Sequence, residues 1–85
     1  MDEFEIGKVV HFFDKASVAV VSVTEDSLAV GDSIHITGHA TDLRQNVESM
    51  QIQHKPVEKV EAGQEVAIKV SDKCHKSDKV FKVVE

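Results

Sequence analysis

Apolar residues recur at alternate positions in several short stretches of the chain, the period of a strand with one buried face. Ser33 to Gly38 is the clearest, with Ile34 and Ile36 on one side and Ser33, His35 and Thr37 on the other, so that His35 is expected to face outward. Glu65 to Val70 repeats the pattern, Val66, Ile68 and Val70 inward and Glu65, Ala67 and Lys69 outward. A first strand is expected from about Ile6 to Phe13, with Phe4 preceding it, and a second from Ala16 through Val23. Thr24-Glu25-Asp26-Ser27 reads as a turn, and Leu28-Ala29-Val30 leads into a break at Gly31-Asp32. His39 to Gln45 is polar and turn-like, a fourth strand covers about Asn46 to His54, and a last one runs from about Lys79 to Val84. No segment carries a helical stripe.

The fourth strand has a phase error. Val47 and Met50 are three apart while Met50 and Ile52 are two apart, so one regular strand cannot bury all three. An extra residue near Glu48-Ser49 restores the pattern, which predicts a β-bulge there. Lys55-Pro56 ends the ladder, because proline has no N–H to give. Val57, Val60 and Ala62 then line a loop that finishes at Gly63. Six strands in an open sheet would leave bare edges and one apolar face in water. Closing the sheet removes both, which predicts an all-β, closed six-stranded antiparallel β-barrel, a single domain over residues 1–85 with its core over about 6–84.

Composition strengthens the strand reading. Fifteen valines and five isoleucines stand against two leucines, and β-branched side chains suit a pleated surface better than a helix. At 85 residues, with 41% hydrophobic and 29% charged, the chain has the make-up of one small globular domain. No apolar run approaches the ~18–20 residues needed to cross a bilayer, so no membrane role is expected. The single cysteine, Cys74, excludes an internal disulfide, and the acidic start Met1-Asp2-Glu3-Phe4-Glu5 lacks the flank of a secretory signal, which together point to the cytoplasm. The net charge of −5 is uneven. Residues 1–32 hold seven acids and two lysines, whereas Lys69, Lys73, Lys76, Lys79 and Lys82 face only Asp72 and Asp78 near the C-terminus. That lysine cluster is too small for a non-specific polyanion binder.

Three stretches resemble one family. Leu28-Ala29-Val30-Gly31-Asp32-Ser33-Ile34-His35-Ile36, Val47-Glu48-Ser49-Met50-Gln51-Ile52 with His54-Lys55-Pro56-Val57, and Glu61-Ala62-Gly63-Gln64-Glu65-Val66-Ala67-Ile68 are similar, in that order, to segments of the second, β-barrel domain of elongation factor Tu-type translational GTPases. With Ile6-Gly7-Lys8-Val9 at the start, the similarity covers roughly residues 6–84, and the type it resembles is the small translation elongation factor-like protein. A similar barrel also occurs at the C-terminal end of collagenase-like peptidase relatives linked to RNA modification. Gly31 and Gly63 are the positions where a tight turn calls for φ > 0. The phosphate loop G-x-x-x-x-G-K-[ST] is absent, so no GTP binding by this chain is expected, and Ser77-Asp78 stands where the family has Gly-Asp. The resemblance implies contact with tRNA, rRNA or the translation apparatus.

The residues themselves give no catalyst. The five histidines have no zinc-site spacing, and no serine occupies a G-x-S-x-G elbow, so the chain is expected to be no enzyme and to hold no metal or cofactor. For RNA, Arg44, the only arginine, is the best phosphate or base contact, with Lys73 and Lys76 as support. Phe12 and Phe13 are adjacent, so one points outward and can stack on a base or close the end of the barrel. The expected function is therefore a non-catalytic binding module contacting RNA. Its alternative is a protein-interaction barrel that docks on a partner enzyme, through an apolar patch around Phe4, Phe12 or Phe13, without touching nucleic acid.

Overall fold

The structure, a computed structural model, describes residues 2–84. Ten strands follow one another: β1 (Asp2–Phe13), β2 (Val18–Val23), β3 (Ser27–Ala29), β4 (Ser33–Gly38), β5 (Thr41–Asn46), β6 (Met50–Ile52), β7 (Lys55–Val57), β8 (Lys59–Glu61), β9 (Glu65–Lys69) and β10 (Lys79–Val84). Eight form one antiparallel sheet in the order β5-β4-β10-β1-β2-β9-β6-β7, and β3 pairs with β8 in a small second sheet. Among the described residues there is no helix, and none long and apolar enough to cross a membrane. The chain is all-β and antiparallel, as its alternation predicts.

Closure is where expectation and structure part. The large sheet has two ends, β5 and β7, that do not pair with each other, so no closed barrel forms and the strand count is ten rather than six. His39 to Gln45 is no turn: Thr41 to Asn46 is β5, joined to β4 through a two-residue loop at His39-Ala40. Of the segment from Asn46 to His54, Asn46 ends β5 and only Met50–Ile52 forms a further strand. No bulge forms at Glu48-Ser49; instead Val47 leaves the sheet and pairs its backbone with the Gly31-Asp32 turn, its N–H donating to Asp32 O at 2.8 Å and its carbonyl accepting from Gly31 N at 2.8 Å. Pro56 does not end pairing but sits in β7, the last strand of the sheet, where a missing N–H is tolerated. Val57 and Val60 belong to β7 and β8 rather than to a loop.

Bulges occur in β1, where the register shifts between Glu5 and Gly7 and again between Val9 and His11. They meet the same demand that a three-residue spacing sets elsewhere: Ile6 and Val9 are both fully buried, and Phe12 packs against the core three residues further on. The core draws on nearly every strand, with Ile6, Val21, Leu28, Ile36, Val60 and Ile68 all fully buried. Gly31 and Gly63 take φ of 99° and 95°, which their turns require.

One side chain substitutes for a missing ladder. Beyond Ile68, β9 has no strand neighbour on the β6 side. There the Gln45 amide donates from Nε2 to Lys69 O at 2.9 Å and accepts from Ser71 N at 2.8 Å, the two bonds an adjoining strand would make. Gln45→Ala is expected to cost about 1 kcal/mol, the lower range for two exposed bonds. Urea titration checks this: the midpoint falls while the slope is unchanged.

Candidate functional site

Two surfaces combine chemistry with exposure. The first is an ionic clamp across four strands. Glu3 on β1 and Asp42 on β5 grip opposite ring nitrogens of His35 on β4, at 2.8 Å for Nδ1 to Glu3 Oε1 and 2.5 Å for Nε2 to Asp42 Oδ1. Arg44 donates from a terminal guanidinium nitrogen to Glu3 Oε2 at 2.9 Å. His35 is therefore held, with a side chain only 13% exposed, and not simply outward in solvent as its strand position suggests. Two carboxylates can accept from both nitrogens at once only if the ring is the imidazolium. The hydrogen bond to Glu3, then that to Asp42, accordingly raises the His35 pKa above its ordinary 6.5, against the opposing effects of burial and Arg44. Glu3 is lowered from 4.5, first by His35 and, against desolvation, by Arg44.

The sign of the pH effect follows. A raised histidine contributes stability in full below 6.5 and loses it as pH rises through the folded value. A lowered glutamate contributes above 4.5 and loses it as pH falls through the folded value. The clamp is strongest between those limits, at mildly acidic pH. Thermal melts of the parent and of His35→Gln are expected to differ most near pH 5.5–6.5 and to converge above neutrality. A difference that grows toward pH 9 contradicts the clamp.

The second surface is a groove of about 510 Å³ on the outer side of β2, β9 and β6. Phe13, Val20, Ile52 and Ala67 give it an apolar floor, and Gln51, Gln53, His54, Gln64 and Glu65 rim it. Gln53 and His54 at its lip form the two-residue β6–β7 loop with φ of 50° and 65°, a conformation that costs non-glycine residues of order 1 kcal/mol each. His11 packs edge-on against Phe13, ring centroids 4.4 Å apart.

The residues expected to contact RNA are not all gathered on the groove. Arg44 donates from one guanidinium nitrogen to Glu3. Lys73 lies in the segment after β9, its Nζ 4.0 Å from Asp14 Oδ1, and Lys76 is exposed in the following turn. Phe12 faces the core, and Phe13, 50% exposed, lines the groove, where Arg44, Lys73 and Lys76 have no part. Sequence reading missed Glu3 and Asp42. Glu3 lies in strand that it left unassigned and Asp42 in strand that it read as a turn, and reading His39-Ala40 as a hairpin would have placed Asp42 and Arg44 beside His35.

The titratable groups on and near these surfaces are each placed by their own hydrogen bonds. The carboxylates of the clamp sit on opposite sides of the imidazole, and among the described residues no group of three or more His, Cys, Asp or Glu is placed to hold a metal ion. Thr41 Oγ1 lies 2.9 Å from His75 Nδ1, but buried Asp78 approaches that same nitrogen, at 3.9 Å, so hydroxyl and carboxylate do not flank the ring as base activation requires. Burial, then Asp78 and Asp72, pushes the Cys74 thiol up to about 11, which keeps it an inert core group.

No known family profile matches the chain. It is 39% identical over 98% of its length to an uncharacterised protease of Methanocaldococcus jannaschii, and 35% identical over 91% to a collagenase of Porphyromonas gingivalis. The chain spans about a fifth of these relatives, 20% and 22% of their lengths. Its fold matches the C-terminal domain of a protein described as a U32 peptidase in Geobacillus thermoleovorans, with a TM-score of 0.85 at 19% identity, covering 96% of this chain and 93% of that one. A selenomethionine form of that domain gives 0.83 at 16% identity. These findings overturn the elongation-factor resemblance and the translation-factor role drawn from it. The shared glycine turns and alternating strands are features that many small β folds need, and so do not separate one family from another. The homologues of the chain are protease and collagenase-like proteins, and its fold neighbour is the C-terminal domain of a U32 peptidase, not the second domain of an elongation factor.

Proposed function

We propose that this protein is a non-catalytic module that docks on the body of a U32-type peptidase, in its own polypeptide or as a separate chain. The observation that carries this reading is the extent of the match: nearly all of this chain against about one fifth of each protease relative. The remaining four fifths of those relatives leave ample length for a catalytic body. Neither the ionic clamp nor the groove supplies a nucleophile with its base, which agrees with an auxiliary role. A basic channel or a stacking platform would favour RNA instead, but Arg44 pairs with Glu3, Lys73 approaches Asp14, and no lysine or arginine lines the groove beside Phe13.

The test is co-elution of the full chain with a U32-type peptidase of the same organism in size-exclusion chromatography. A stoichiometric complex at micromolar concentration is expected. Separate elution of the two proteins, with the chain bound to tRNA or rRNA at low salt, overturns the reading.

A further inference from the structure

The inner, core-facing side of the β1–β10 ribbon continues past the core and ends uncovered. Phe4 pairs with Lys82 and Asp2 with Val84, so all four side chains share the side that buries Val80 further along. Yet Phe4 is 52% and Val84 42% exposed. They are diagonal neighbours across the ladder, close enough to form one apolar patch. Strand β2 reaches only to Val23, opposite Gly7, so residues 2–5 pair with β10 alone and their other backbone edge is bare among the described residues.

Charge surrounds this patch unevenly. Lys82 is engaged by Asp32 at 3.6 Å and by Ser27 O at 3.2 Å, and Glu3 is neutralised by His35 and Arg44. Asp2, Glu5, Glu25 and Asp26 have no ion-pair partner among the described residues. The turn carrying Glu25 and Asp26 is tied to the base of the ribbon, Thr24 N and Glu25 N donating to Ile6 O at 2.7 and 3.1 Å. Asp2, on the same side as Phe4, and the Glu25-Asp26 turn thus bring carboxylates to an apolar lip, while Glu5, paired with Phe81, faces the other side of the ribbon.

We propose that the Phe4–Val84 lip is the docking face, and that its occupant is an apolar, lysine- or arginine-rimmed surface on the U32-type peptidase body. The proposal rests on the docking function above. Charge complementarity selects the occupant: Asp2, Glu25 and Asp26, without ion-pair partners among the described residues, repel a polyanion and repel a second copy of the same face, while they attract a basic protein surface.

Titration calorimetry of the full chain against the peptidase, at 50 and 300 mM NaCl, tests the face. Phe4→Glu and Val84→Asp are each expected to weaken binding at least tenfold. Raising the salt weakens the parent several-fold. Phe13→Glu, at the far end of β1, leaves affinity within twofold. Should Phe4→Glu fail to fold, Asp2→Lys with Glu25→Lys, both on exposed side chains, is expected to weaken binding and to flatten the salt dependence. If Phe13→Glu alone disrupts the complex, or affinity ignores salt, the face is wrong while docking stands. If the parent does not bind at all, docking itself fails and takes this face with it. A self-association abolished by Phe4→Glu overturns the choice of occupant.

Discussion

Replacing Gly7 by alanine is expected to remove about 2–3 kcal/mol of folding stability and to lower the thermal midpoint by roughly 10–20 °C. A Cβ at this position would stand 2.1 Å from Ser22 O and 3.0 Å from Ser22 C, both backbone atoms of the adjoining strand. Side chains can turn aside from an intruding methyl, but here a whole strand would have to move. It has little freedom to do so. Gly7 lies between β10 and β2, paired with Val80 on one side and Val23 on the other, directly after the first bulge. Opening either ladder exposes fully buried Ile6, Val23 and Val80. Calorimetry of Gly7→Ala beside Gly31→Ala separates two kinds of glycine. Gly31 has open space around it and φ of 99°, so its alanine pays only the left-handed backbone cost of ~1–2 kcal/mol. A Gly7→Ala protein as stable as the parent means that the bulge is free to shift.

That contrast shows what the sequence could reveal. Gly31 and Gly63 were legible as turn glycines because their need is local: a break in alternation followed by a backbone that must cross to φ > 0. The need at Gly7 comes from Ser22, fifteen residues away, and alternation carries no record of it. Strands whose side chains alternate cleanly, β4 and β9, stand where the pattern placed them. In β5 the outward positions hold Asp42, Arg44 and Asn46, and only Leu43 is a large apolar residue. A strand with one apolar residue in six reads as a turn. Spacings of three occur at Ile6–Val9, Val9–Phe12 and Val47–Met50; the first two are absorbed by bulges and the third by leaving the sheet. Which remedy the chain takes depends on the neighbours. Strand β1 is held on both sides and must stay in register, whereas Val47 finds backbone partners in the Gly31-Asp32 turn.

The clamp was hidden for the same reason. Glu3, His35, Asp42 and Arg44 are spread over 42 positions, and only the order β5-β4-β10-β1 brings them to one face. The acidic bias of the first 32 residues was plain from composition. Its use was not, because neutralised carboxylates (Glu3, Asp32) and those without an ion-pair partner among the described residues (Asp2, Glu5, Glu25, Asp26) look alike in a sequence.

Ile6→Ala is expected to cost about 2–5 kcal/mol, against a total stability for a domain of this size of roughly 4–13 kcal/mol. Ile6 is fully buried, and it sits at the first bulge, where its carbonyl also accepts from Thr24 N and Glu25 N and from Thr24 Oγ1 at 3.3 Å. Truncating it leaves a cavity under that turn, in a region whose backbone is held too firmly to collapse onto the space. The loss should appear as a lower urea midpoint with the slope preserved. Two residues earlier, Phe4→Glu is expected to change stability by no more than about 0.5 kcal/mol, since more than half of that side chain already faces water. Equal losses at the two positions are incompatible with a lip that projects beyond the core. With the large loss confined to Ile6, the fold ends at Ile6 as far as stability is concerned, and Phe4 is an apolar side chain that folding alone does not explain.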